Sequence, residues 1–194
     1  MKLKSTRIST WHHGLKVGLI TLALSLLLGF CSGHVVRTVP FFLAFLVLLA
    51  IIGLGILFDV MGVAVTVADE PSLHAMAAKR ILGAREAVRL RRQAPAISNL
   101  CNDLVGDIAG TLSGAVGATI VFGLAKHYPI KEEWASLAIV ALVSAVTVGG
   151  KAVGKHFSLW HANIITLKMG RVLWLVERIC GREVLKKNGS GGKK

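Results

Sequence analysis

Val39-Pro-Phe-Phe-Leu-Ala-Phe-Leu-Val-Leu-Leu-Ala-Ile-Ile-Gly-Leu-Gly-Ile-Leu-Phe-Asp-Val-Met-Gly-Val-Ala-Val-Thr-Val-Ala68 carries a single ionisable side chain, Asp59, and its reading decides the fold. A helix needs about 20 mostly apolar residues to cross a hydrocarbon layer of about 30 Å. This stretch exceeds that length, so it reads as a membrane span. Working outward, Val17 to Val36 is a second stretch without charge, Ile97 to Ala125 a third, and Trp134 to Gly150 a shorter fourth, closed by Trp134 and Lys151. All four prolines, Pro40, Pro71, Pro95 and Pro129, stand at or just before expected helix starts, where the missing N–H costs least.

Composition agrees. With 54% hydrophobic and 17% charged residues the chain is too apolar for a disordered segment and ill suited to an ordinary soluble domain. Lys and Arg number 23 against 10 acidic residues. Their placement follows the positive-inside pattern. The N-terminal tail, the loop from 69 to 96 and the chain from Lys151 onward hold 20 of them, while Arg37, Lys126 and Lys131 lie on the other side. The expectation is a multi-pass cell-membrane protein with the N terminus, central loop and C terminus in the cytoplasm and no nucleic-acid partner. The basic, apolar and small-residue order ending at Cys31-Ser-Gly33 also describes a secretory signal peptide, and cleavage there leaves the other orientations unchanged. Cys31, Cys101 and Cys180 are too far apart for a zinc or disulfide framework.

The expected fold class is an all-α membrane protein with about four transmembrane helices and two cytoplasmic-side amphipathic helices. Residues 1–36 form a basic tail and first span, 37–180 a three-helix transmembrane domain, and 181–194 a flexible basic tail. Ser72 to Gln93 sets Leu73, Met76, Ala77, Ile81, Ala84, Val88 and Leu90 against a basic face, the pattern of a surface helix. In 157–180, Phe157, Trp160, Ile164, Leu167, Val172, Leu175, Val176 and Ile179 recur at helical spacing with Lys168, Arg171 and Arg178 between them.

Charged groups inside a span cost about 2.5 to 3.5 kcal/mol each on insertion scales, so aspartates there call for a reason. Asp59 is the deepest. Asp103 and Asp107, spaced i, i+4, share a helix face, and Asn102 adds an amide oxygen. These hard oxygen donors suit Mg²⁺, Ca²⁺ or Na⁺. The competing reading leaves Asp103 and Asp107 at the headgroup level, answering Arg91, Arg92 or Lys151. Gly106, Gly110 and Gly114 recur every four residues, a stripe that lets another helix approach closely and suits a homodimer face. No hydrolytic or redox constellation is visible, so no enzyme activity and no organic cofactor are expected.

From about residue 50 to 180 the order of features resembles the transmembrane domain of the CorB/CorC and CNNM family of magnesium and sodium-linked transporters. Leu57-Phe-Asp-Val-Met-Gly-Val-Ala-Val65 lines up with that family's Phe-Phe-Ser-x-Ser-Glu-Thr-Ala-Leu motif, and Leu82-Gly-Ala84 with its Gly-x-x-Gly-Ala helix end. Cys101-Asn-Asp-Leu-Val-Gly-Asp-Ile108 resembles Gly-Asn-Asn-Leu-Val-Asn-Ile, and Gly149-Gly-Lys-Ala-Val-Gly-Lys155 resembles Phe-Gly-Glu-x-x-Pro-Lys. The resemblance implies transport of Mg²⁺ or a related cation, coupled to Na⁺ or H⁺, in a homodimer surrounded by membrane lipids. It implies an ion site at Asp59, Asn102, Asp103, Gly106, Asp107 and Gly150. Two departures matter. Lys151 stands at the family's Glu position, either as a tethered cation or as a salt bridge that closes the site, and no CBS pair lies within these residues. The alternative function is a non-transporting membrane adaptor or accessory subunit derived from such a domain.

Overall fold

A computed structural model describes residues 18–27, 40–125 and 132–181, with Leu15, Gly29 and Phe30 besides. Most of the expected first span's flanks and the tail from 182 lie outside the described residues. Within them every regular element is helical. Helix α1 is the short apolar segment Gly18–Leu27. It is followed by α2 (Phe41–Val67), α3 (Glu70–Ala78), α4 (Ala84–Arg92), α5 (Ala94–Ser98), a π-helix (Asn99–Gly106), α6 (Asp107–Ala125) and α7 (Glu132–Cys180). Three helical stretches are long and apolar enough to cross a membrane: Phe41–Val67, Ala94–Leu124 and Ser136–Cys180. A helix satisfies its own backbone groups, which is what hydrocarbon demands. Four hydroxyls in these stretches are answered locally: Thr111, Ser113, Thr119 and Thr147 each donate to a carbonyl three or four residues back.

The chain forms two compact units, Met1–Gly55 with Gly106–Val148 and Ile56–Val105 with Gly149–Lys194. In the first, Ala44, Leu48 and Ile52 recur every fourth residue and form the buried stripe of α2. Gly55 lets α6 approach, since a Cβ there would stand 2.9 Å from that of Ala109. Gly117 meets Val143 and Ile139 of α7. Gly110 and Gly114 face open space within the protomer.

The second unit corrects the expected single surface helix over Ser72 to Gln93. The chain folds there into a hairpin of α3 and α4, because two residues leave right-handed helical geometry. Asp69 caps the start of α3 by accepting from the Ser72 N–H at 3.0 Å and from its hydroxyl. At its end, Arg80 takes φ 58°, and the N–H groups of Arg80 and Ile81 reach back to the carbonyls of Ala77 and Met76. This is a Schellman ending with arginine where glycine is usual. Gly83, at φ 81°, then starts α4.

The apolar side of this hairpin is covered by α7 and by neighbouring helices. Ala68, Leu73, Ala87, Val88 and Ala162 form one buried cluster with Met76 against it. Val65, Leu90 and Ala94 form another, covered by Ile97, Met169 and Leu173. Polar contacts tie the same surfaces. Asn163 accepts from the Asp69 N–H at 2.7 Å, Arg91 donates to the Ala68 carbonyl at 2.7 Å, and half-buried Arg89 pairs with Glu177. Closest approach is at Gly170, where a Cβ would overlap the Gly83 carbonyl and stand 2.7 Å from the Ala87 nitrogen.

Residues 134–150 and 157–180 fall in one helical stretch. Helix α7 has 49 residues and runs through Lys151, leaving helical geometry only at His161 (φ −118°, ψ 20°). The expected fourth span therefore runs on past Lys151 into the expected second amphipathic helix, and a kink at His161 divides α7 into two helical arms.

Candidate cation site

In the second unit one expected ligand, Asp59, lies on α2, and a second, Asn102, packs against the same helix at Gly62. Asp59 is buried, with 4% of its surface exposed, about two turns before the helix ends at Val67. Its Oδ2 has no hydrogen-bond partner. Three residues further on, Gly62 makes room for Asn102: a Cβ at Gly62 would overlap Asn102 Oδ1 and stand 2.8 Å from its Cγ. That Oδ1 is likewise buried and unpartnered, while Nδ2 donates to Ser98 Oγ at 3.2 Å. Two orphaned side-chain oxygens thus meet α2 three residues apart, the anionic one on α2 at Asp59 and the neutral one from Asn102 against Gly62. Buried polar atoms are rarely left unpaired, so both stand out.

The asparagine is delivered by the π-helix over Asn99–Gly106. An i→i+5 stretch of this length is rare, and such segments occur frequently at functional sites. Its sequence is most of the Cys101–Ile108 motif singled out above.

Helix α7 forms the opposite wall through small residues. A Cβ at Gly150 would overlap the side chain of Ile56, and one at Gly154 would stand 2.6 Å from Val60 Cγ2. Ser158, fully buried, donates to the Val60 carbonyl at 2.8 Å. Gly150, Gly154 and Ser158 therefore make the close helix contact, at the four-residue spacing that brings backbones together.

Lys155 is the cation at Asp59. Its Nζ lies 3.9 Å from Oδ2, with the two side chains 55% and 5% exposed. The sequence directs attention to Lys151 for this role, but one further helical turn brings position 155 to the carboxylate.

The remaining expected ligands are placed differently. Gly150 packs its backbone on Ile56, and Asp103 is exposed. Gly106, buried, and Asp107, exposed, belong to the first unit. Among the described residues no three Asp, Glu, His or Cys side chains gather into a metal-binding group. Any ion at Asp59 would be held by one carboxylate, an amide oxygen and water or backbone oxygens. Lys155, Gly154 and Ser158 were not among the expected site residues. The small-residue spacing at 150, 154 and 158 was legible, and the pairing of Lys155 was not.

No protein-family description matches the chain, and neither a curated protein nor a solved structure is similar to it.

Proposed function

We propose that this is a multi-pass membrane protein that moves a small cation across the bilayer, with Asp59 as the ligand carboxylate and Asn102 as a neutral donor. The observation that carries the reading is the Asp59 Oδ2 atom, buried in an apolar helix without a hydrogen bond. A buried carboxylate there is costly enough that it needs a positive partner. The resemblance to CorB/CorC and CNNM transmembrane domains implies Mg²⁺ or a related cation as the cargo, coupled to Na⁺ or H⁺. Both termini are assigned to the cytoplasmic side by the distribution of basic residues. The open Gly110 and Gly114 positions suit a homodimer contact.

The test is cation-dependent thermal stabilisation of the purified protein, followed by flux into liposomes. Binding that Asp59→Asn abolishes, with uptake lost in parallel, supports the proposal. A melting curve indifferent to Mg²⁺ and Na⁺ in both proteins refutes it. The second reading, a non-transporting membrane adaptor, draws on the proximity of Lys155 to Asp59, since an ion pair answers the buried charge without any ligand. It requires that Lys155 never leave.

A further inference from the structure

We infer that Lys155 is a tethered cation that occupies the Asp59 site until a monovalent metal ion of the alkali class displaces it. This rests on the transport reading above and names its ligand class. The pair is lopsided: Asp59 is held inside the helix packing, while the Lys155 side chain is 55% exposed. A permanent charge-assisted hydrogen bond closes to about 2.7–2.9 Å. Here the ammonium stands at 3.9 Å, and Oδ2 keeps its hydrogen-bonding capacity unused. The lysine neutralises the carboxylate without being seated on it.

Departure of the lysine requires little else to move. The α7 backbone is fixed against α2 by Gly154 and Ser158 on either side of position 155. The four-carbon stem can carry the ammonium away from Oδ2 by rotamer changes alone.

Charge then selects the ligand. Asn102 offers a neutral oxygen, and the Ser158 hydroxyl proton is already given to the Val60 carbonyl. The buried side of the site thus holds one negative charge, now balanced by Lys155. An alkali cation in place of the ammonium keeps that balance. A divalent ion would leave an excess positive charge where the effective dielectric constant is low, and would meet repulsion from Lys155. Mg²⁺ additionally demands near-octahedral oxygen ligation and gives up its water reluctantly, which one carboxylate and one amide do not offset.

The experiment is a melting series of the purified full chain in NaCl, LiCl, KCl or MgCl₂, each against N-methyl-D-glucamine chloride at equal ionic strength. Wild type, Lys155→Gln, Lys155→Arg and Asp59→Asn are compared. The expected result is stabilisation of wild type by an alkali chloride, with none for Asp59→Asn. The half-saturating concentration falls about five- to tenfold in Lys155→Gln, where the competitor is gone. It stays near wild type in Lys155→Arg, which keeps the charge. Alkali stabilisation equal in wild type and Lys155→Gln overturns the tethered-cation inference but leaves a cation site standing. Stabilisation by MgCl₂ alone, dependent on Asp59, overturns the monovalent assignment in the same way. No salt separating wild type or Lys155→Gln from Asp59→Asn overturns both the inference and the transport reading.

Discussion

Asp59 and Lys155 approach to 3.9 Å from two helices, one side chain 5% exposed and the other 55%. Removing the lysine strands a buried carboxylate, whereas removing the carboxylate leaves a lysine whose side chain is 55% exposed. In buffer free of metal cations, Lys155→Gln should therefore destabilise the protein by about 1–2 kcal/mol, below the range for fully buried pairs because one partner is exposed. Asp59→Asn in that background should restore most of the loss. Thermal midpoints of the four proteins in this cycle check the asymmetry, and equal penalties from either single substitution would refute it.

The crossing of α4 and α7 depends on the absence of a side chain at Gly170. A Cβ there would overlap the Gly83 carbonyl, which is backbone and cannot swing aside. Gly170→Ala should cost about 1–3 kcal/mol through forced separation of the helices. At Gly110 and Gly114 the same methyl group meets nothing in the protomer. Gly110→Ala should leave the monomer's melting midpoint unchanged or slightly raised. A comparable loss at all three positions would remove the distinction.

Arg80 adopts a left-handed conformation at φ 58° in order to end α3. Non-glycine residues pay about 1–2 kcal/mol for that geometry, and glycine does not. Arg80→Gly should thus raise the stability of the α3–α4 hairpin by up to about 1 kcal/mol. Hydrogen-exchange protection of the Arg80 and Ile81 amides reports on this ending, and faster exchange in the variant would contradict the prediction.

Acid should loosen the start of the same hairpin. The Ser72 hydroxyl and N–H hold the Asp69 carboxyl below its ordinary 3.8, and Arg92 and then His74 hold Glu70 below 4.5. A carboxyl depressed on folding stabilises fully above its unfolded value, and that contribution disappears as pH falls through the lower folded value. Protection of the α3 amides should therefore be flat above about pH 5 and fall below the ordinary carboxylate range. Asp69→Asn should flatten part of the acid limb. An increase in protection on acidification would have the wrong sign.

Much of the architecture was legible in the sequence for simple reasons. An uninterrupted apolar run such as Phe41–Phe58 has one low-energy solution in hydrocarbon, and the surface-helix pattern of Leu73, Val88 and Leu90 reports a buried side wherever it is covered. The division of Ser72 to Gln93 was harder to read, because its decisive residue is an arginine at φ 58°. Periodicity carries no sign of a left-handed residue that is neither glycine nor asparagine.

Sequence alone determined that Asp59 is an anomaly: a charge within an apolar helix is costly whatever surrounds it. It also determined that the Asn102 segment departs from a plain apolar span. Only tertiary structure decided what meets the carboxylate. Lys151 and Lys155 are one helical turn apart, and choosing between them depends on where α7 lies along α2. That register is set by Gly154 and Ser158 fitting against Val60, a matter of shape between distant parts of the chain. Charge spacing is local information, whereas the position at which two helices touch is not.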